Sequence, residues 1–291
     1  MTHSKNISQP PWTTRHVIIF LCGLILFEMM VKTYLNIFEF PVTFLSDIVS
    51  IVGIESSQSR DASTLILIAF VRICMLSALF HFIRVHWKSN IQQVGIQRKN
   101  IIKDSKLSIL FILSLAAVSV IPWALLFFIH DNDISTVLVP GTNALKYFRN
   151  PAYITIYFLV ACVIAVFAEE VVFRGFIYPP LRNKMTVLFG KYGIPIAVVL
   201  NVALFTTAHI QWGSLEIYTN AVSSLFTSGF TRETLIAFQQ AFLPLTQPLV
   251  CGILCCALFE LTGRITAPFL LHFAGNTGIL VVNVIHALGS A

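Results

Sequence analysis

Apolar residues occupy this chain in blocks, and the polar residues between them are confined to short connectors. A helix needs about 20 predominantly apolar residues to cross a bilayer. Blocks near that length run over Val17–Val31, Thr64–Val85, Leu107–Ile129, Tyr153–Tyr178, Tyr192–His209, Pro244–Leu261 and Thr266–Ile285. The stretch Ile37–Ile54 is also hydrophobic, but Glu39, Pro41 and Asp47 interrupt it. It reads as a re-entrant or interfacial helix, or as an eighth span. Ile217–Phe242 is semi-polar and reads as an amphipathic piece. The pattern predicts an all-α, polytopic transmembrane helical bundle with about seven to eight membrane helices.

Composition agrees with this pattern. Of the 291 residues, 56% are hydrophobic and 11% charged, against about 25% charged in soluble domains. The net charge of +6 is carried in short loops and not on one long basic face, so it marks membrane topology and no nucleic-acid partner. Lys88, Arg98, Lys99, Lys103 and Lys106 follow the second span, and Arg182, Lys184 and Lys191 follow the fourth. Glu39, Asp47, Glu55 and Asp61, against Arg60, follow the first. Basic loops stay inside, so the N-terminus is expected on the cytoplasmic side. The first apolar run lacks a small-residue cleavage site and reads as a retained span. The six cysteines all lie in apolar segments without a CxxC pair. They imply neither disulfides nor a zinc knuckle.

Within this apolar background, Glu169, Glu170 and Arg174 fall inside the span Tyr153–Tyr178. A charge at the centre of a membrane helix costs roughly 2.5–3.5 kcal/mol on insertion scales, and such residues mark function by default. Glu170 and Arg174 are spaced i,i+4 and can pair on one face, which leaves Glu169 without a local partner. An apolar site disfavours the charged form of a carboxylate, which tunes a glutamate for general-base work near neutral pH. Two more helical patterns follow: Phe205-Thr-Thr-Ala-His209 and His272-Phe-Ala-Gly-Asn276. Taken singly, a membrane histidine is an interhelical hydrogen-bonding residue, and a Glu–Arg pair is structural. Together the three supply a carboxylate, two imidazoles and a carboxamide, from which come the base, the water positioner and the oxyanion donors that peptide hydrolysis requires.

The remaining polar residues read as structural. Glu28 with Lys32, and Glu260 with Arg264, are expected i,i+4 pairs near membrane edges. His81, His86 and His130 sit near span ends, where polar tips snorkel. Arg72 lies inside the second span without a local acid, so it either pairs across helices or serves the function directly.

The three motifs resemble those of the CPBP family, the CAAX-protease and bacteriocin-processing intramembrane peptidases of the Abi type, whose pattern is EExxxR, FxxxH and HxxxN. Gly175-Phe176 after the arginine, and Thr262-Gly263-Arg264 with Pro268 before the last histidine, also look familial. The resemblance covers roughly Tyr153–Ile285. It divides one integral membrane domain into N-terminal helices with a basic connector over residues 1–150 and a catalytic core over 151–291. It implies a glutamic-type endopeptidase without a cofactor, in which Glu169 activates water with help from His209. His272 and Asn276 would form the oxyanion hole. Glu170 and Arg174 would hold the architecture, and Phe205 would pack one turn below His209. The implied substrates are membrane-anchored or lipidated: a prenylated CAAX-type C-terminus, a leader peptide or a C-terminal sorting anchor. In a prokaryote the enzyme would sit in the inner membrane. A zinc enzyme using Glu169, His209 and His272 as ligands is the alternative, although no HExxH occurs.

Two features depart from this expectation. The link from Ile210 to Ala241 is long. Counting along the spans also puts His209 near the outer end of its helix and His272 nearer the inner end, yet the mechanism needs them level. The competing reading is a non-enzymatic transporter or scaffold. A transporter would string the polar residues along a path, whereas a protease gathers them at one cavity.

Overall fold

The computed structural model describes residues 10–23, 40–51, 53, 54, 56–97, 100–129, 146–210, 215–229 and 231–289. These are helical, with no strand among them. Helix α1 (Thr14–Gly23) is followed by α2 (Phe40–Ile51), α3 (Ser56–His81) with a terminal π turn Phe82–His86, a 3₁₀ turn Ile91–Val94, and α4 (Ile101–Ile129). A long rod then alternates α and π geometry: α5 (Pro151–Tyr157), the π turn Phe158–Ile164, α6 (Ala165–Glu170), the π turn Val171–Ile177 and α7 (Tyr178–Phe189). It is followed by α8 (Gly193–Ala208), α9 (Leu215–Ser228), α10 (Arg232–Thr262) and α11 (Thr266–Gly289).

Among the described residues, four segments are long and apolar enough to cross a membrane: Gln58–His86, Pro151–Ala208, Leu245–Thr262 and Thr266–Gly289. The second is 58 residues long, enough for two crossings at about 20 residues each. A 3₁₀ turn at Gly190–Tyr192 divides it between α7 and α8. The interrupted stretch Ile37–Ile54 yields α2, whose 12 residues rise about 18 Å. That falls short of a hydrocarbon core of about 30 Å. The semi-polar piece Ile217–Phe242 becomes α9 plus the first turns of α10. The expected Glu28–Lys32 pair, His130 and residues 131–145 lie outside the described residues.

Local sequence sets the helix ends. Asn150 caps α5, its Oδ1 accepting from Ala152 N at 2.9 Å and Tyr153 N at 3.4 Å, with Pro151 in the first turn. Thr231 caps α10 through Thr234 N. Gly263 ends α10 in the left-handed region at φ +65°, and its N–H bonds Phe259 O at 2.7 Å.

That reversal explains a correction. Glu260 and Arg264 do not pair with each other, because the helix stops between them and the i,i+4 face is lost. Arg264 instead bonds Asp104 at the start of α4, with Nε to Oδ2 at 2.8 Å and NH2 to Oδ1 at 2.5 Å. The bond raises the Arg264 pKa above its ordinary value. Glu260 takes Arg182 Nε at 2.6 Å and the Tyr178 hydroxyl at 2.7 Å, both from α7. These two ion pairs staple the ends of α10, α7 and α4 beside the core.

The largest buried cluster joins Trp12, Val94, Phe173, Phe176, Phe205 and Phe259. It packs around the π turn Val171–Ile177, all seven of whose residues are buried. Trp12 Nε1 donates to Phe176 O at 2.9 Å, and Asn201 Nδ2 of α8 donates to Phe173 O at 2.9 Å. Irregular backbone at membrane depth is tolerated where protein groups satisfy it, and here two neighbouring elements do so. Gly175 permits the closest approach, since a Cβ there would meet Val94 O at 2.5 Å.

Asp104 is fully buried. Asp104→Ala would leave the Arg264 guanidinium without its carboxylate, and breaking a buried pair costs about 3–5 kcal/mol. Thermal unfolding in detergent should show the loss, while Arg264→Lys, which keeps the charge but loses the fork, should cost less.

Candidate active site

Two carboxylates on consecutive residues of α6 point to different partners. Glu170 turns into the bundle, where its Oε1 accepts from Arg174 NH1 at 3.1 Å and from His272 Nδ1 at 2.8 Å. Arg174 also donates from NH2 to Gly252 O at 3.3 Å and lies 4.2 Å above the Phe205 ring centroid. Both Glu170 and Arg174 are fully buried. A buried ion pair is favoured when its remaining hydrogen-bonding groups are also met; here a backbone carbonyl, an aromatic face and an imidazole contribute, while Glu170 Oε2 and Arg174 Nε have no hydrogen-bond partner among the described residues.

Glu169 faces the other way. Its Oε1 lies 2.7 Å from Arg72 NH1 of α3. Its Oε2 lies 3.7 Å from His209 Nε2 and 3.8 Å from His272 Nε2. The second nitrogen of each ring fixes the proton arrangement. His209 Nδ1 lies 2.8 Å from Phe205 O, which can only accept, so Nδ1 carries hydrogen. His272 Nδ1 meets the Glu170 carboxylate, which accepts in the same way. Both imidazoles therefore hold Nδ1–H against a fixed acceptor and turn Nε2 toward one oxygen of Glu169. An acceptor on one ring nitrogen is what sets the role of the other.

Phe205 organises this arrangement. Its ring lies 4.6 Å from that of His209 and 5.6 Å from that of His272, meeting the latter edge-on. His209 is the residue at which α8 ends, and His272 is in the second turn of α11. The packing of α8 and α11 through Phe205 brings the two imidazoles level, which resolves the mismatch left by counting along the spans.

A cavity of about 210 Å³ opens beside these groups, lined by His209, His272, Asn276, Gln247, Cys251 and Tyr157 among others. Asn276 Nδ2 donates to Ala161 O at 3.0 Å, in the π turn that precedes α6. Gln247 Nε2 reaches Asn276 Oδ1 at 3.5 Å. The structure thus brings Glu169, His209 and His272 together, puts Asn276 on the same cavity, and keeps Glu170, Arg174 and Phe205 behind them. Arg72, expected to pair across helices or to serve the function directly, pairs across helices with Glu169, and sequence reasoning missed Gln247. Arg72 gave a signal as a lone cation in an apolar span, and Gln247 gave one as an amide in the run LPLTQPLVCG. Neither residue lies in any of the three motifs.

The donor set fits a divalent cation poorly. Glu169 already holds a guanidinium, and among the described residues no group of three or more His, Cys, Asp or Glu is arranged to hold a metal ion.

Residues 151–278, somewhat under half of the chain, match the family model described as type II CAAX prenyl endopeptidase, Rce1-like. No curated protein and no solved structure matches the chain. The matched range holds Glu169, Glu170, Arg174, Phe205, His209, His272 and Asn276. Four described segments are long and apolar enough to cross a membrane, and the matched range is similar to membrane peptidases of the CAAX class.

Arg174→Ala should destabilise by about 3–5 kcal/mol, because Glu170 would remain buried without its cation. Thermal melts in detergent should drop accordingly, and the protein should express poorly.

Proposed function

We propose that the protein is a glutamic-type intramembrane endopeptidase in which Glu169 is the general base. The observation that carries this reading is the convergence of His209 Nε2 and His272 Nε2 on Glu169 Oε2, at 3.7 and 3.8 Å. These separations exceed a direct hydrogen bond, and polar contacts of this length suit a bridging water. Glu169 would take a proton from such a water while His209 Nε2 holds it in place. The hydroxide oxygen then bonds to the scissile carbonyl carbon. Flanked by Glu170 and Glu169, His272 can hold a proton on both nitrogens, so its Nε2–H can donate to the oxyanion. The Asn276 amide sits on the same cavity as a second donor. Collapse breaks the C–N bond, and the departing amine takes the proton from Glu169. Two donors aimed at developing charge in a site sheltered from bulk water account for much of such catalysis.

The substrates that fit are peptides already anchored at the membrane: a prenylated C-terminus, a leader peptide or a C-terminal sorting anchor. The basic loops around Lys88–Lys106 and Arg182–Lys191 put both connectors, and the N-terminus, on the cytoplasmic face.

Glu169→Ala or His209→Ala should lower cleavage of prenylated and other membrane-anchored peptides by about 10²–10⁴-fold, the range for a lost acid–base group, with insertion unchanged. Wild-type cleavage should survive a strong chelator. Activity lost to the chelator and restored by zinc would instead make Glu169, His209 and His272 metal ligands. Full activity in Glu169→Ala, or residues that carry a solute and cleave nothing, would overturn the reading.

A further inference from the structure

The family match ends where the site does not. Residues 151–278 contain every motif residue, yet the shortest contact to Glu169 comes from Arg72, far outside that range. We infer that Arg72 is a positioning residue for the base, and that the N-terminal helices therefore complete the active site. This inference rests on Glu169 acting as the base.

The geometry supports a directional role. Glu169 has two oxygens and three rotatable bonds, and Arg72 NH1 holds one of those oxygens at 2.7 Å. The other is thereby left to face both imidazoles. The remaining nearby guanidinium cannot substitute, because Arg174 is committed to Glu170, Gly252 O and the Phe205 ring. A charge-assisted bond of this length is strong and directional. Without it, Oε1 would lose the contact that fixes the carboxylate's orientation toward the imidazoles. The Arg72 side chain is 30% exposed while that of Glu169 is 10% exposed, so the cation reaches in from a more exposed position to meet the more buried acid. Helix α3 also packs against α6 and the π turn before it, which fixes the distance over which Arg72 must reach.

A purely structural salt bridge predicts something different. It would lose stability and activity together, and would not separate substrate binding from turnover. The test is therefore steady-state kinetics on a prenylated, membrane-anchored peptide with purified full-length Arg72→Gln, Arg72→Lys and Glu169→Gln, each with its thermal melt. The expected result for Arg72→Gln is a fall in kcat on the order of 10²-fold, the cost of misplacing a catalytic group by about 1 Å, with KM unchanged. Arg72→Lys, which keeps the cation, should recover part of that loss. An Arg72→Gln enzyme with wild-type kcat, beside an inactive Glu169→Gln, would overturn the inference and leave the base in place. So would a kcat loss in both Arg72 variants that merely tracks a lowered melting temperature. Activity in Glu169→Gln would overturn the base itself, and with it this role for Arg72.

Discussion

Two adjacent carboxylates in an apolar bundle govern the rest of this structure. Neither can stay charged there without a cation, and each solves the problem differently. Glu170 is closed in by Arg174, His272 and the helix behind them, and it behaves as part of the scaffold. Glu169 is held at one oxygen only, which leaves the other for chemistry. One acid is enclosed by the scaffold, and the other faces the two Nε2 atoms. The fold must therefore bring α3, α8, α10 and α11 to a single turn of α6. The π turns on either side of α6, with their carbonyls satisfied by Trp12, Asn201 and Asn276, are where that crowding is accommodated. Such turns concentrate at functional sites.

Much of the site was legible because its motifs are local. Glu170 with Arg174, and Phe205 with His209, are one helical turn apart, so spacing alone put each pair on one face. The pairing of Phe205 O with His209 Nδ1 follows from the same turn. The helical class and the apolar spans followed from block length. What spacing could not reach is any partner on another helix. Arg72 and Glu169 are 97 positions apart in sequence, and nothing in the run around Arg72 indicates which acid it will meet. Glu260 and Arg264 show the opposite failure. Their spacing was correct for a helix, but Gly263 reverses the chain between them, and each residue found a partner elsewhere. The level of His209 against His272 was hidden for a related reason. It depends on how α8 and α11 slide past one another, which Phe205 fixes by packing and not by pattern.

The polar interior also explains why so small a cavity suffices. Asn276, Gln247 and two imidazoles share about 210 Å³ of space, and most of their hydrogen-bonding atoms are already committed to the protein. The groups left over are few and aimed, which is the preorganisation that lets a few dipoles act strongly away from bulk solvent.

The wide separation of these contacts along the chain has a consequence for biosynthesis. The indole of Trp12 waits for the carbonyl of Phe176, 164 residues downstream, and Glu170 waits 102 residues for His272. A ribosome therefore threads out Glu169 and its guanidinium partner Arg72 well before His272 and Asn276 have emerged. Until α11 is made and seated, Glu169 and Glu170 lack the imidazole of His272 that lies against both. The arrangement around Glu169 and Glu170 is therefore completed only when α11 packs against α6.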